Sequence, residues 1–291
     1  MIEQLFSIIA PVLICVAIGY CWARWGRRYD IELVTTLITS VGAPCLVLHT
    51  LANLRIPVGA LATVAAAATM VIALCMLVGV VFLHLVGWPQ RAFLPALMFA
   101  NTGNMGLPLS FLAFGDNGLG LAIGIFAVHS TLMFTVGSAI AAGKPSLRSL
   151  VRMPLLYAVA LSLIFLLTGT TPPDFVNATA RLLGGITIPM MLITLGVSLG
   201  KLRIASLPRS MTIAVLRLVF GFAAAFACAR LLHLDGVAAS VLILQATMPV
   251  AVFNYLFAQR YDTKPEEVAG IVVISTLLSF LTLPLLLWYV L

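Results

Sequence analysis

Residues 101–108 read NTGNMGLP and interrupt a stretch that is otherwise apolar. A proline has no N–H, so it deprives the carbonyl four residues earlier of its helical hydrogen bond. Pro108 would free the carbonyl of Asn104, and Gly103 and Gly106 weaken the helix further. Freed backbone groups are tolerated at membrane depth only where they are buried in protein or line a watery cavity. The stretch therefore predicts a broken helix, whose second part would begin with bare N–H groups and a positive dipole end.

A second polar stretch interrupts another apolar run in the same way. It reads QATMP at residues 245–249, where Pro249 would free the carbonyl of Gln245. If the two broken helices cross, their half-helix N-termini could together hold a carboxylate without any Lys or Arg. The candidate substrate-binding side chains of the two stretches are Asn101, Thr102, Asn104, Gln245 and Thr247. The candidate crossing residues are Gly103, Gly106, Pro108 and Pro249.

The polar side chains in these stretches also have a purely structural interpretation. Asn101 could cap the second half of its helix, and Asn104 could satisfy a freed carbonyl. Thr102 and Thr247 could bond back to the preceding turn of their own helices. Both kinds of role stay open, and they can coexist in one side chain.

The composition indicates which class of protein surrounds these stretches. Of the 291 residues, 62% are hydrophobic and 9% are charged, whereas soluble domains carry about 25% charged residues. This predicts an all-α integral membrane protein. The basic residues lie between apolar runs rather than on a soluble face, which argues against a nucleic-acid-binding protein. Met1–Gln4 carries no Lys or Arg, so we expect the first run to be a span and not a cleaved signal peptide.

Sites for metals, cofactors and catalysis are not indicated. The five Cys have no paired spacing, the four His are scattered, and no HExxH motif appears. All nine Asp and Glu lie between the apolar runs or at their ends. We therefore expect no metal, no cofactor and no enzymatic activity.

Ten apolar runs are long enough to cross a bilayer as helices. The broken stretches fall in the fourth and ninth of them, near their centres. The predicted spans are 4–23, 31–53, 57–86, 90–114, 118–141, 152–169, 173–199, 207–232, 236–259 and 267–290.

The Lys and Arg residues predict the orientation of these spans. Only Arg55 and Arg230 lie in even-numbered linkers, and Arg181 and Arg217 lie within spans. The odd-numbered linkers hold Arg24, Arg27, Arg28, Arg91, Lys144, Arg148, Arg152, Lys201, Arg203, Arg209, Arg260 and Lys264. Because cytoplasmic loops carry the excess of positive charge, the odd linkers should face the cytoplasm. This predicts a multi-pass protein of the inner (plasma) membrane with both termini outside.

The two halves of the chain match one another at a constant offset. The pairs are Pro44 with Pro189, Thr102 with Thr247, Ala113 with Ala258, and Ser130–Leu132 with Ser275–Leu277. We interpret residues 1–143 and 150–291 as two five-helix repeats within one transmembrane unit. An odd number of spans makes the second repeat enter the membrane from the opposite side, as in many secondary transporters.

At these residues the sequence resembles the auxin efflux carrier family, which includes plant auxin exporters and bacterial organic-acid permeases. The pieces that carry the resemblance are GAPCLVLH (42–49), NLR (53–55), NTGNMGLPL (101–109), VLRL (215–218), QATMP (245–249), LFAQRYDTKP (256–265) and LPLLLWYVL (283–291). An acidic residue that plant members carry after NLR is absent from residues 56–60. The resemblance therefore supports small organic anions as a class rather than auxin itself.

The resemblance implies a fold as well as a class of substrate. It implies ten transmembrane helices as a 5+5 inverted repeat, with broken helices 4 and 9 crossing at their prolines as in sodium/proton antiporters and bile-acid symporters. Helices 1, 2, 6 and 7 would form a scaffold that dimerises, and helices 3–5 and 8–10 a transport domain that moves like an elevator. Asn101 would contact the substrate carboxylate. His49, on the scaffold, could line the cavity or bond a neighbouring carbonyl.

The function predicted is a secondary carrier for small organic anions, such as carboxylates or auxin-like acids. A sodium- or proton-coupled symporter of the bile-acid type is the alternative, although it would need carboxylates at the crossing. Arg217 lies deep within the eighth span and has no acidic residue to pair with there. It could bond open carbonyls at the breaks, act as a gate or contact the substrate. The expected partners are the anion, the lipid bilayer and a second copy of the chain.

The predicted orientation can be tested with single cysteines in a Cys-free background. We expect cysteines at Ser146 and Ser206 to be protected from an impermeant thiol reagent in intact cells. Cysteines at Pro172 and Asp235 should be labelled, because these positions lie in even-numbered linkers. The reverse labelling pattern would contradict the orientation inferred from charge.

Overall fold

The computed structural model describes residues 2–53, 57–144, 153–202 and 205–291 as helices joined by short turns. Within these residues the chain forms no β-strand, only one isolated bridge between two extended segments. The all-α prediction is therefore confirmed. The residues used above for orientation or resemblance that lie outside the described ranges are Leu54, Arg55, Ser146, Arg148, Arg152 and Arg203.

The helices follow the predicted apolar runs closely. In the first half they are α1 (Ile2–Arg24), α2 (Ile31–Leu37), α3 (Ala43–Ala52), α4 (Val58–Leu85), α5 (Gln90–Met98), α6 (Leu107–Leu132) and α7 (Ser138–Ala142). In the second half they are α8 (Pro154–Thr168), α9 (Asp174–Gly185), α10 (Thr187–Lys201), α11 (Leu207–Leu231), α12 (Gly236–Ala246), α13 (Val252–Arg260) and α14 (Pro265–Val290). Three π-helical segments precede α3, α6 and α7: Ile38–Gly42, Thr102–Gly106 and Met133–Gly137.

Seven helical stretches of the described chain are long and apolar enough to cross a membrane. They are Leu5–Arg24, Ile31–Ala52, Gly59–Leu85, Thr102–Ala142, Asp174–Lys201, Leu207–Leu231 and Pro265–Val290. The helices α8 and α12 are apolar but shorter. The chain is thus a multi-pass membrane protein. The predicted fourth and ninth spans do not appear as single long helices, because both are broken near their centres.

The longest of these stretches turns at a single glycine. Gly115 has φ 62° and ψ −154°, a conformation that glycine adopts easily because it has no Cβ. This residue begins the GDNG linker that was predicted between the fourth and fifth spans. The continuous stretch Thr102–Ala142 therefore contains the end of one predicted span and the whole of the next.

The helices pack in two groups. In one group, α1 packs against α10, and α3 packs against α8 and α9. In the other group, α4 contacts α5, α6 and α11, while α12 contacts α6 and α11, and α14 packs along α11. The buried apolar side chains that join the helices are mainly Leu, Ile, Val and Ala.

The contact between α1 and α10 depends on two facing glycines. A Cβ on Gly19 would lie 2.0 Å from the carbonyl oxygen of Ile193, and one on Gly196 would lie 2.0 Å from that of Val16. Small residues let membrane helices approach backbone to backbone in this way.

We expect Gly196→Ala to destabilise the protein by about 1–3 kcal/mol, because the added methyl group cannot fit beside the Val16 carbonyl. Gly185→Ala is the matched control, since nothing lies within 4 Å of its Cβ position. The measurement is thermal unfolding of the purified variants in detergent. Equal melting temperatures for the two variants would contradict the close packing of α1 and α10.

Candidate functional site

The two broken spans cross each other through their backbones. Ala100 and Val250 form an isolated antiparallel bridge between the extended segments that separate α5 from α6 and α12 from α13. The Asn101 N–H donates to the Pro249 carbonyl at 2.6 Å, and the Ala251 N–H donates to the Phe99 carbonyl at 3.1 Å. Each break thus satisfies polar backbone groups of the other, as an irregular segment inside a membrane must.

Neighbouring side chains satisfy further backbone groups at the crossing. The Val250 N–H donates to the Ser275 hydroxyl at 3.1 Å, and the Asn254 side-chain amide donates to the Phe99 carbonyl at 3.2 Å. Ser275 and Asn254 are themselves buried. Side chains of the protein therefore stabilise both extended segments of the bridge.

Arg217 joins the ends of the two helices that lead into the crossing. Its guanidinium donates to the carbonyl of Leu97 at 2.8 Å, to that of Ala246, and to the Cys75 sulfur at 3.6 Å. Leu97 lies in the last turn of α5, and Ala246 is the last residue of α12. The side chain is 1% exposed. Of the roles considered for Arg217, the structure confirms that it bonds open carbonyls at the breaks.

A cavity of about 650 Å³ lies beside the crossing, where α13 and the π-helical segment before α6 begin. Its wall includes residues from both groups of helices. From the crossing it reaches Ile31, Met153 and Arg260, which lie at helix ends next to odd-numbered linkers. Each of the three π-helical segments contributes to its lining. Among the described residues that line it, Arg260 is the one that carries a charge.

Asn101 has one bonded and one free polar atom. Its side-chain oxygen accepts a hydrogen bond from the Asn104 N–H at 3.2 Å, which caps the start of the π-helical segment. That bond identifies the other atom as the nitrogen, and this buried Nδ2 has no hydrogen-bond partner. Asn101 lines the cavity and is 4% exposed. An unpaired buried donor costs free energy that a ligand would recover.

The structure brings some of the predicted binding residues together and separates others. Asn101, Thr102 and Asn104 line the cavity, as does Gly103. Gln245 is fully buried and donates to the Ser110 hydroxyl at 3.1 Å, while Thr247 bonds back to the Ile243 carbonyl at 2.7 Å. Neither of these two side chains is part of the described cavity wall. A direct contact between them and a substrate stays a prediction.

His49 lies in a separate place. It lines another cavity, of about 570 Å³, together with Asp174, Asn177 and Arg181. Its Nδ1 is 2.7 Å from the Asn177 side-chain oxygen, and Asn53 also donates to that oxygen at 2.9 Å. These bonds connect α9 with the end of α3, so His49 has a side-chain partner away from the crossing.

The four predicted crossing residues lie at different distances from the bridge. Pro249 lies at the crossing itself, and Gly103 and Gly106 belong to the π-helical segment that follows the bridge. A Cβ on Gly106 would come within 2.2 Å of the Gln245 side-chain oxygen, so the absence of a side chain there makes room for Gln245. Pro108 lies further from the bridge, in the first turn of α6, where the π-helical segment continues into that helix without a break. The two broken spans meet at Ala100 and Val250, and a role for Pro108 in the crossing stays a prediction.

The sequence interpretation missed most of the cavity wall. Hydroxyl-bearing side chains of α2, α10 and the helices around them line it, including Thr35, Thr39, Thr194 and Ser198. Their spacing of four residues along two helices was the available signal. Tyr29, in the turn before α2, bonds Thr194 at 2.7 Å, and burial raises the pKa of its hydroxyl above the usual value, so it stays protonated.

In the described part of the chain, no group of three His, Cys, Asp or Glu side chains is placed to hold a metal ion. The polar groups at the crossing are amides, hydroxyls, the guanidinium of Arg217 and the imidazole of His129, which packs against Phe99 and bonds the Ala100 backbone.

Comparison with known proteins finds similarity to membrane transporters. Residues 138–287, just over half of the chain, match the sequence model of a family described as membrane transport protein. An uncharacterized transporter of Methanocaldococcus jannaschii is 28% identical over 206 residues, which cover 67% of this chain and 66% of that protein. An uncharacterized transporter of Methanothermobacter thermautotrophicus is 31% identical over 197 residues, or 65% of each chain.

Both matches thus span slightly less than two thirds of the relatives' own lengths. The family match itself covers the second broken span, the Arg217 helix and the last apolar helix. The chain therefore belongs to the membrane transport protein family, that of the auxin efflux carriers.

Proposed function

We propose that this protein is a secondary transporter that carries small organic anions, such as carboxylates or auxin-like acids, and binds them at the crossing. The observation that carries the proposal is the free Nδ2 of Asn101, a buried donor on the wall of a cavity of about 650 Å³. A carboxylate is the complementary ligand, because it accepts hydrogen bonds and its negative charge makes them stronger than bonds between neutral groups.

The backbone around Asn101 favours the same ligand. The π-helical segment and α13 both begin at the cavity, and the first N–H groups of a helix lack partners within the helix. Such ends attract anions through their N–H groups and their dipoles. The described cavity wall holds no Asp or Glu that would repel an anion.

We propose alternating access by an elevator-like movement in a ten-helix, 5+5 inverted repeat. The two packing groups support this division, because α1–α3 with α8–α10 correspond to the scaffold spans, and the remaining helices to the transport spans. The cavity lies between them and ends next to odd-numbered linkers, so the charge distribution makes this an inward-facing state. By resemblance to the family, the scaffold spans of two copies would form a homodimer.

A cation-coupled symporter of the bile-acid type is less well supported. Such a carrier would bind sodium or a proton through carboxylates near the crossing. The nine Asp and Glu of the chain lie at or beyond the ends of the predicted spans. The described crossing is bonded through amides, hydroxyls, Arg217 and the imidazole of His129, with no carboxylate among these groups.

The role of Asn101 can be tested with a change that keeps its cap. Asn101→Asp retains an oxygen for the Asn104 N–H and replaces the free donor with a second oxygen. We expect affinity for a carboxylate to fall by about 10- to 150-fold. This range corresponds to the loss of one hydrogen bond to a charged group, which costs about 1.5–3 kcal/mol. The measurement is scintillation-proximity binding with benzoate, indole-3-acetate, malonate and succinate.

Asn177→Asp is the matched control, because it makes the same chemical change in the separate cavity beside His49. We expect its carboxylate affinity to equal that of the wild type. Weaker binding by this control, with Asn101→Asp unaffected, would move the site to the His49 cavity. Failure of the wild type to bind any of the four carboxylates would contradict the proposed function.

Transport energetics provide an independent prediction. A monoanion leaving an inside-negative cell gains about 2.3 kcal/mol per 100 mV, or roughly a 50-fold gradient at about 1.4 kcal/mol per decade. We expect flux in proteoliposomes to follow a potassium–valinomycin potential with sodium absent and equal pH on both sides. Flux that ignores the potential and requires a sodium or pH gradient would favour the coupled symporter.

A further inference from the structure

Four helix ends meet at the crossing, and they have different surroundings. The C-terminal ends of α5 and α12 direct the carbonyls of Leu97 and Ala246 at Arg217. The N-terminal ends of α13 and of the π-helical segment before α6 begin at the cavity. A helix carries about half a negative elementary charge at its C-terminal end and about half a positive one at its N-terminal end. The four ends alone would therefore cancel.

Arg217 changes this balance by adding one full positive charge at the C-terminal ends. It is 1% exposed, and the ion pairs found within the described ranges join only Arg209 and Lys264 to Glu267. The two C-terminal ends supply about one negative charge, which matches the guanidinium. The two N-terminal ends at the cavity are then left with about one positive charge in total, and the described cavity wall holds no Asp or Glu to oppose it.

Asn101, which carries a free donor, lies on the same side of the crossing. It is an unpartnered polar group on a side chain that is 4% exposed and lines the cavity, next to the start of the π-helical segment. The excess positive charge and the unused donor thus occur at one place. A single negative charge with hydrogen-bond acceptors satisfies both.

We propose that Arg217 is the fixed counter-charge of this site and makes it selective for monoanions without a coupling cation. The proposal rests on the proposed function, since it presupposes an organic anion at the crossing. Arg217 is a positioning residue, because it acts through the helix ends and not by touching the ligand. A dianion would leave one negative charge uncompensated at the crossing, because Arg260, the charged residue of the described cavity wall, is exposed at the opposite end of α13. A neutral analogue would leave the positive charge unmatched.

The shape of the guanidinium explains why an arginine performs this role. Its planar fork donates in several fixed directions, so one side chain reaches carbonyls at two helix ends. Gly221, one turn further along α11, leaves space for this contact, since a Cβ there would lie 2.0 Å from the Ala246 carbonyl oxygen. A lysine would keep the charge but could not reproduce the fork.

The first test needs no transported ligand. Arg217→Ala should lower the melting temperature, and guanidinium ion at millimolar concentration should restore part of the loss by occupying the vacated position. Choline at the same concentration should have no effect, and the wild type should respond to neither ion. Arg209→Ala is the control, because that arginine is partly exposed and its place is open to solvent. If guanidinium failed to raise the melting temperature of Arg217→Ala, the counter-charge role would be overturned.

The second test varies the charge of both ligand and protein. Benzoate, terephthalate and benzamide supply one, two and no negative charges on one ring. We expect the wild type to bind benzoate about tenfold or more tightly than the other two, equally in sodium chloride and choline chloride. Arg217→Gln should lose about tenfold or more in benzoate affinity with no change for benzamide, and Arg217→Lys should keep most of it.

Three results of the second test would contradict the proposal: tighter binding of terephthalate, sodium-dependent binding by the wild type, or unchanged benzoate affinity in Arg217→Gln. One further result would contradict the proposed function and not the role of Arg217. If benzoate and the other carboxylates do not bind to the wild type, the anion site itself is wrong, while guanidinium rescue still reports on the role of Arg217 at the helix ends.

Discussion

The hydrogen bonds from Arg217 to the ends of α5 and α12 are the interaction on which the rest of the crossing depends. Two broken helices leave carbonyls without partners at a depth where water is scarce, and each unsatisfied group there costs several kcal/mol. One buried guanidinium satisfies both ends. The segments that follow are then free to pair through Ala100 and Val250, which places the starts of the next helices at the cavity.

Asn101 shows how one side chain can have both a structural and a functional role. Its oxygen caps the π-helical segment, and its nitrogen stays available. The sequence left these two interpretations as alternatives, but an amide has two different polar ends and can serve both. The same reasoning separates Asn101 from Gln245, whose nitrogen is already bonded to Ser110.

Much of the fold could be predicted because its causes are local. Apolar runs determined the helices, and proline with glycine determined which runs break. The exact crossing could not be predicted, because it depends on which extended residues face each other in space. The two prolines illustrate this difficulty, because Pro249 lies at the bridge itself while Pro108 lies inside the helical stretch that begins at Thr102. The hydroxyl-lined wall was missed because its residues come from several helices distant in sequence.

The three π-helical segments, Ile38–Gly42, Thr102–Gly106 and Met133–Gly137, have a consequence for how such a cavity can change during evolution. A π-turn is equivalent to one extra residue inserted into an α-helix, and such turns occur frequently at functional sites. Losing or gaining that residue rotates the adjoining helix by about a quarter of a turn or more, given 3.6 residues per turn. Since all three segments line the cavity, single-residue insertions and deletions can replace the side chains that face a ligand while the crossing stays intact.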